Sequence, residues 1–143
     1  MLTTNKITAI VQPTTNVIDW VVSKLKTYPD WHVEKYSGTN CRKIFKHIPE
    51  MQLPAVVVSY RGSNGEDEIP RRTLNFSIII ATEDVGDVET AAGKSFVLID
   101  KVMELLDYER FNGILFKFKK DSPFELPGSS IASYELSIVG VDF

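Results

Sequence analysis

Residues able to do chemistry are few in this chain and poorly spaced for it. His32, Cys41 and His47 are its only soft metal-ligand types, set nine and six residues apart, with no CxxC or HExxH pair among them. Zinc is held by four such ligands, or by three and a water, in a tight pattern. The spacing predicts no metal site and no cofactor. Cys41 with His32 or His47 as base would be the minimum nucleophilic pair. Lys24, Lys35, Arg42, Lys43 and Lys46 lie near enough in sequence to lower a thiol pKa. No local signature of a cysteine enzyme accompanies them. The expectation is two partly exposed histidines, an inert thiol and no catalysis.

The charged groups cluster more suggestively. Glu66, Asp67 and Glu68 form a compact acidic run. It lacks the alternating acids and the glycine spacing of a calcium loop, so a solvated loop is the plainer reading. Arg71 and Arg72 open one expected strand, while Lys117, Lys119 and Lys120 close another. If those ends are neighbours, they make a basic patch able to meet an acidic partner surface. Lysine on a strand also serves simply to discourage edge-to-edge pairing. The candidate interface residues are therefore Glu66, Asp67, Glu68, Arg71, Arg72, Lys117 and Lys119. Gly62, Gly65, Gly86 and Gly93 form no phosphate-binding fingerprint, and no serine sits in a GxSxG elbow.

Bulk properties narrow the class further. A chain of 143 residues favours one domain, residues 1–143, able to bury roughly 70% of its unfolded surface without a metal or disulfide staple. The formal net charge of −3 argues against a dedicated nucleic-acid binder, which carries a basic footprint. The single cysteine allows no internal disulfide. The start, MLTTNKITAIVQP, has no signal-peptide pattern, and no apolar run approaches the ~20 residues of a membrane helix. The expectation is a soluble protein made in the cytoplasm, with no membrane partner.

The elements follow from periodicity. A helix is expected from about Thr15 to Lys26, with N-cap types at its start and Ile18, Val21, Val22 and Leu25 at helical spacing. Asp30 to Ser37 alternates, with Trp31 and Val33 on one face, and reads as a short edge strand. Cys41 to His47 fits a basic helical turn or a second short strand. Leu53 to Tyr60 is a strand whose run of Val56, Val57 and Val58 implies burial on both faces. Arg61 to Glu68 is a connector. Thr73 to Thr82 places Leu74, Phe76, Ile78 and Ile80 on one face, and pairs with the preceding strand as an antiparallel hairpin with a long loop.

The main helix runs from about Val88 to Leu106. Its expected core stripe is Val88, Ala92, Phe96, Ile99, Met103 and Leu106, widened by Leu98, Val102 and Leu105. Asn112-Gly113 is a turn. Ile114 to Lys120 is a strand, Asp121 to Ser130 a loop, and Ile131 to Asp142 the last strand. The fold class expected is α+β: a mixed, mainly antiparallel sheet with two helices packed on one face.

The order and wording of these elements resemble the small tail proteins of Mu-like prophages, which are tail-terminator-like. The resemblance is carried by VIDWVVSKLK, WHVEKYSG, LPAVVVSYRGS, LNFSIIIATEDVGD, ETAAGKSFVLIDKVMELLD and ASYELSIVGVDF, together about Thr15 to Phe143. Relative to that family, residues 1–13 are an N-terminal extension, and Arg42 to Glu50 have no clear counterpart.

The resemblance implies a non-enzymatic virion protein of the tail, assembled in the host bacterial cytoplasm. Its partners would be copies of itself in a ring, commonly of six, together with the tail-tube protein and head-completion proteins. The ring would end tube polymerisation at the head-proximal end, with no specific nucleic-acid binding. Physical considerations are compatible: a ring needs a heterologous interface that closes by rotation. The other classes are a head–tail connector or neck protein of related fold, and a small cytoplasmic enzyme whose site is not readable from sequence.

Overall fold

The structure is a computed structural model, and it describes residues 14–36, 52–65, 72–83, 88–125 and 131–142. Residues 1–13 and 41–50, whose structure the sequence leaves open, lie outside that set. So do Cys41, His47, Glu66, Asp67, Glu68 and Arg71.

Helix α1 spans Thr14–Lys26, and its valines and leucine repeat every fourth residue, so Val17, Val21 and Leu25 are fully buried. Its end is fixed by a side chain that arrives later. The buried indole Nε1 of Trp31 donates to the Leu25 carbonyl at 2.7 Å. That satisfies one of the carbonyls a helix C-terminus leaves without an internal partner. Strand β1 (His32–Tyr36) follows directly and lies parallel to β2 (Ala55–Gly65).

β2 turns back antiparallel into β3 (Arg72–Glu83), as the alternation predicts. The expected connector from Arg61 is instead partly strand. A register shift between Tyr60 and Ser63, with Gly62 at φ 101°, lets β2 continue to Gly65. Only glycine takes that conformation without strain.

Helix α2 (Val88–Leu106) then crosses the sheet. Its turn into the next strand uses Asn112 (φ 46°) and Gly113 (φ 87°), the two-residue left-handed turn that suits a twisted hairpin. It joins a two-residue strand, β4 (Arg110–Phe111), to β5 (Ile114–Glu125). β6 (Ile131–Asp142) closes the chain. The sheet order is β1-β2-β3-β6-β5-β4, parallel only at β1/β2, so the fold is the α+β mixed, mainly antiparallel sheet that was expected.

Both helices share one sheet face. Val17, Val21 and Leu25 of α1 and Leu98, Ile99, Val102 and Leu106 of α2 join one core with Val56, Val58, Phe76, Ile78, Ile80, Phe116, Leu136 and Ile138. Burying each such side chain contributes roughly 1.5–3 kcal/mol. Trp20 stacks on Phe111 and Phe116, at centroid distances of 5.4 and 4.9 Å. Room for Phe116 comes from Gly140 on the neighbouring strand. A Cβ there would lie 2.9 Å from Ile114 Cγ2 and 3.2 Å from the Phe116 ring. The other face carries a smaller apolar cluster of Val57, Ile79, Ala81 and Ile131.

Two further expectations are corrected. Phe96 is not core: it is 53% exposed and packs edge-on against Tyr134. The buried positions along α2 are Ala91, Ser95, Leu98, Ile99, Val102 and Leu106: the last four were expected, while at its start the contact falls one residue earlier than predicted, on Ala91 and Ser95 rather than Ala92 and Phe96. Met103 is half-buried against the core. The reason is the Thr82 hydroxyl, buried on β3, which donates to the Ala91 carbonyl and lies 2.6 Å from the Ser95 hydroxyl. A polar pair inside the core must stay together, and this one turns the helix.

The second correction is the stretch from Asp121, expected as loop, which remains strand through Glu125 in spite of Pro123. β4 pairs only with Leu115 and Ile114, so β5 beyond it has no strand on its outer side among the described residues. Edge positions are where a sheet tolerates proline.

Candidate functional site

The end of the sheet formed by β4 and β5 gathers unpaired positive charge. Lys117 pairs with Val139 and Lys120 with Ser137, which puts both on the face away from the helices. Lys119 falls in the register shift between Phe118 and Lys120, an extra residue opposite β6. Arg110 pairs with Leu115 and shares the face of Lys117. All four side chains are exposed, and none makes an ion pair among the described residues. Tyr108 stands beside them, 70% exposed and at φ 61°. Its position is fixed by backbone bonds on either side: Tyr108 N donates to the Phe116 carbonyl at 2.8 Å, and Phe116 N donates to the Glu109 carbonyl at 2.9 Å. The Asp107 carboxylate accepts from Phe118 N at 2.9 Å, so the helix end is tied to the strand.

Arg72 is not part of this strip. It lies on the helix side of β3, where its guanidinium donates to Thr14 Oγ1 at 2.8 Å and to the Tyr60 hydroxyl at 3.4 Å. It therefore ties the start of α1 to the sheet, on the opposite face from Lys117. The strand ends that were to bring Arg72 and the lysines into one patch do not do so. Sequence reading missed Arg110 and Tyr108. The signal was present in YERFNG, because an Asn-Gly turn implies that Phe111 faces Ile114 and Arg110 faces Leu115.

Where β2 begins and β3 ends, beside α2, lies a groove of about 400 Å3, lined by Leu53, Pro54, Thr82, Glu83, Lys94, Val97 and Leu98. Val97 is 65% exposed. A smaller hollow of about 190 Å3 adjoins it across Leu53 and Pro54 and includes Asp30 and His32. His32 Nε2 sits 2.9 Å from Glu34 Oε1, and that contact is half exposed. Among the described residues no three or more of His, Cys, Asp and Glu come together as a metal site would require. Cys41 and His47 lie outside the described residues. No helix among the described residues is long and apolar enough to cross a membrane.

No protein-family model matches the sequence, and no curated protein matches it. The fold does match solved structures. One is a chain from the virion of a native gene transfer agent particle, at TM-score 0.55 and 11% identity, covering 85% of this chain and 90% of that one. The two share a fold over nearly their whole lengths.

Proposed function

We propose that this chain is a structural protein of a phage-like virion, and specifically a tail terminator that closes a ring, of six copies in the simplest case, at the head-proximal end of the tail tube. The observation that carries the reading is the fold shared with a chain of a gene transfer agent virion over 85% of the present protein. Agreement in element order with the tail-terminator-like proteins supports the finer assignment. In this reading the protein acts without a catalytic centre. Its work is recognition: a copy adds to the growing tube end and offers no site for the next tube subunit.

The partners are then further copies of the chain, the tail-tube protein and the head-completion proteins, with assembly in the host cytoplasm and residence in the virion tail. The exposed strip of Arg110, Lys117, Lys119 and Lys120 supplies a charged surface for one of these contacts. Such groups steer association and fix register more than they add affinity.

The test is reconstitution with the tail-tube protein encoded beside this chain. Adding the chain should limit tube length, and electron microscopy should find it at one tube end only. Tubes that elongate unchanged in excess protein, without the chain at either end, would overturn the terminator role. Binding to head-completion proteins with no effect on tube length would favour a head–tail connector instead.

A further inference from the structure

Val57, Ile79 and Ala81 are 1%, 2% and 1% exposed, and Ser59, Ser77 and Ser133 beside them are buried as well. Val57 pairs with Ile79, Ser59 with Ser77 and Ala81 with Ser133. All lie on the sheet face away from the helices, since Val56, Val58, Ile78 and Ile80, which alternate with them, join the core under α1 and α2. Neither helix can bury them. A further segment of the chain must cover this face.

One connection has to cross the sheet. β1 and β2 are parallel neighbours, paired from His32 and Ala55 to Tyr36 and Ser59. The chain leaving Tyr36 must travel back along the five residues of β1, roughly 17 Å, before it can enter β2. Such a return passes over one face of the sheet and takes about a dozen residues or more, which residues 37–54 supply. On the helix side the ground over these strands is taken. There α1 packs Val17, Val21 and Leu25 with Val33, Val56 and Val58, and the Asp19 carboxylate meets Lys35 Nζ at 3.3 Å. The connections from β2 to β3 and from β5 to β6 need no such return, because Gly65 pairs with Arg72 and Glu125 with Ala132.

Chirality points the same way. His32 N donates to the Pro54 carbonyl at 2.9 Å, in the register that pairs His32 with Ala55. The backbone polar groups of the even-numbered β2 residues therefore face β1, while their side chains, Val56 and Val58, face the helices. In a strand of L-residues running upward, a side chain toward the viewer goes with N–H and C=O groups directed to the right. Seen from the helices, β1 thus stands to the right of β2. Seen from the far face it stands to the left. A path from β1 to β2 over the far face is then a right-handed crossover, and a path over the helix side a left-handed one. About 98% of such connections are right-handed.

Both ends of the connection already touch the far face. Tyr36, the last residue of β1, and Leu53, just before β2, pack against the cluster of Val57, Ile79, Ala81 and Ile131. The sequence between them carries Ile44, Phe45, Ile48 and Met51. Apolar side chains of this kind are what the burial of such a cluster calls for.

We infer that residues 37–51 cross the face of the sheet opposite the helices and seat Ile44, Phe45 and Ile48 on Val57, Ile79, Ala81 and Ile131. This face of β1, β2 and β3 is then closed to other copies of the chain and to a tube subunit. The helices, the sheet edges and the β5 strip are left for those contacts. The inference stands apart from the proposed ring and holds whether or not the chain caps tubes.

The experiment is nuclear Overhauser spectroscopy on the full chain, with labelled Ile, Val and Ala methyls and protonated Phe rings. The Ile44 and Ile48 methyls and the Phe45 ring should give cross-peaks to Val57, Ile79, Ala81 and Ile131. Isotope-filtered spectra of labelled chains mixed with unlabelled ones should lack these peaks, because the contact lies within one chain. Phe45→Ala should shift the methyl resonances of Val57 and Ile79 and leave those of Val17 and Val21, on the other face, in place. Three results would overturn the inference: cross-peaks from Ile44 and Ile48 to α1, cluster cross-peaks that come from Ile7, Ile10 and Val11 instead, or cross-peaks that appear only between copies.

Discussion

The hydroxyls of Thr82 and Ser95 lie 2.6 Å apart inside the core, one from a strand and one from a helix. Their contact sets which side of α2 meets the sheet. Thr82→Val and Ser95→Ala should each cost about 1 kcal/mol, the net worth of one buried hydrogen bond. The double variant should cost clearly less than the sum, because the two groups share one interaction. Urea denaturation of the four chains measures this, and strict additivity would remove the pair from its assigned role.

Phe96 and Phe116 give a contrast within one residue type. Phe116→Ala should cost roughly 3–5 kcal/mol, as expected for a fully buried phenylalanine. Phe96→Ala should cost about 1 kcal/mol or less, since the side chain is half exposed and its ring contact with Tyr134 is edge-on. Equal shifts in denaturation midpoint would contradict the observed burial.

That contrast marks what the sequence could and could not disclose. Strong alternation placed β3 and β6, and the Thr-Thr-Asn start and helical spacing placed α1 within a residue. The extent of α2 was equally plain, but its rotation was not. Periodicity favoured the larger apolar side chain, Phe96, whereas the structure buries Ala91 and Ser95 because a threonine on β3 needs a partner. Strand β5 ran past its expected end because proline reads as a terminator unless the strand is known to lie at an edge. The candidate surface was half legible. Lys117 and Lys119 stand exposed and, among the described residues, unpaired, while Arg72 turned inward to Thr14, a contact 58 residues away in sequence that no local pattern announces.

Gly140 should resist substitution. In Gly140→Ala the new methyl meets Ile114 at 2.9 Å and the Phe116 ring at 3.2 Å, both packed side chains. Overpacking of this kind costs roughly 1–3 kcal/mol. Thermal unfolding should report it, and Gly93→Ala serves as the control. A Cβ at Gly93 meets nothing within 4 Å, and alanine is the better helix former, so that variant should be neutral or more stable.

Reversing charge at Lys117 and Lys119 together should leave the fold intact, because both are exposed and unpaired among the described residues. The same change should weaken assembly, with the loss largest at low salt, where exposed charges are least screened. Circular dichroism tests the first statement and the length distribution of capped tubes the second. Unaltered capping at every salt concentration would take these lysines out of the interface.

The extra residue on β5 has a consequence for how relatives of this chain can be recognised. Through Phe118 the even-numbered positions share the face of the sheet that the helices cover, and after Lys120 it is Asp121 and Pro123 that fall on that face. The strand thus carries two alternations of opposite parity, joined at Lys119. A comparison that slides one continuous pattern along β5 is in phase for one half and out of phase for the other. A chain with its bulge one turn earlier would present the same surface under a sequence offset by a residue in between. The match to the virion chain at 11% identity is likewise one of fold and not of sequence.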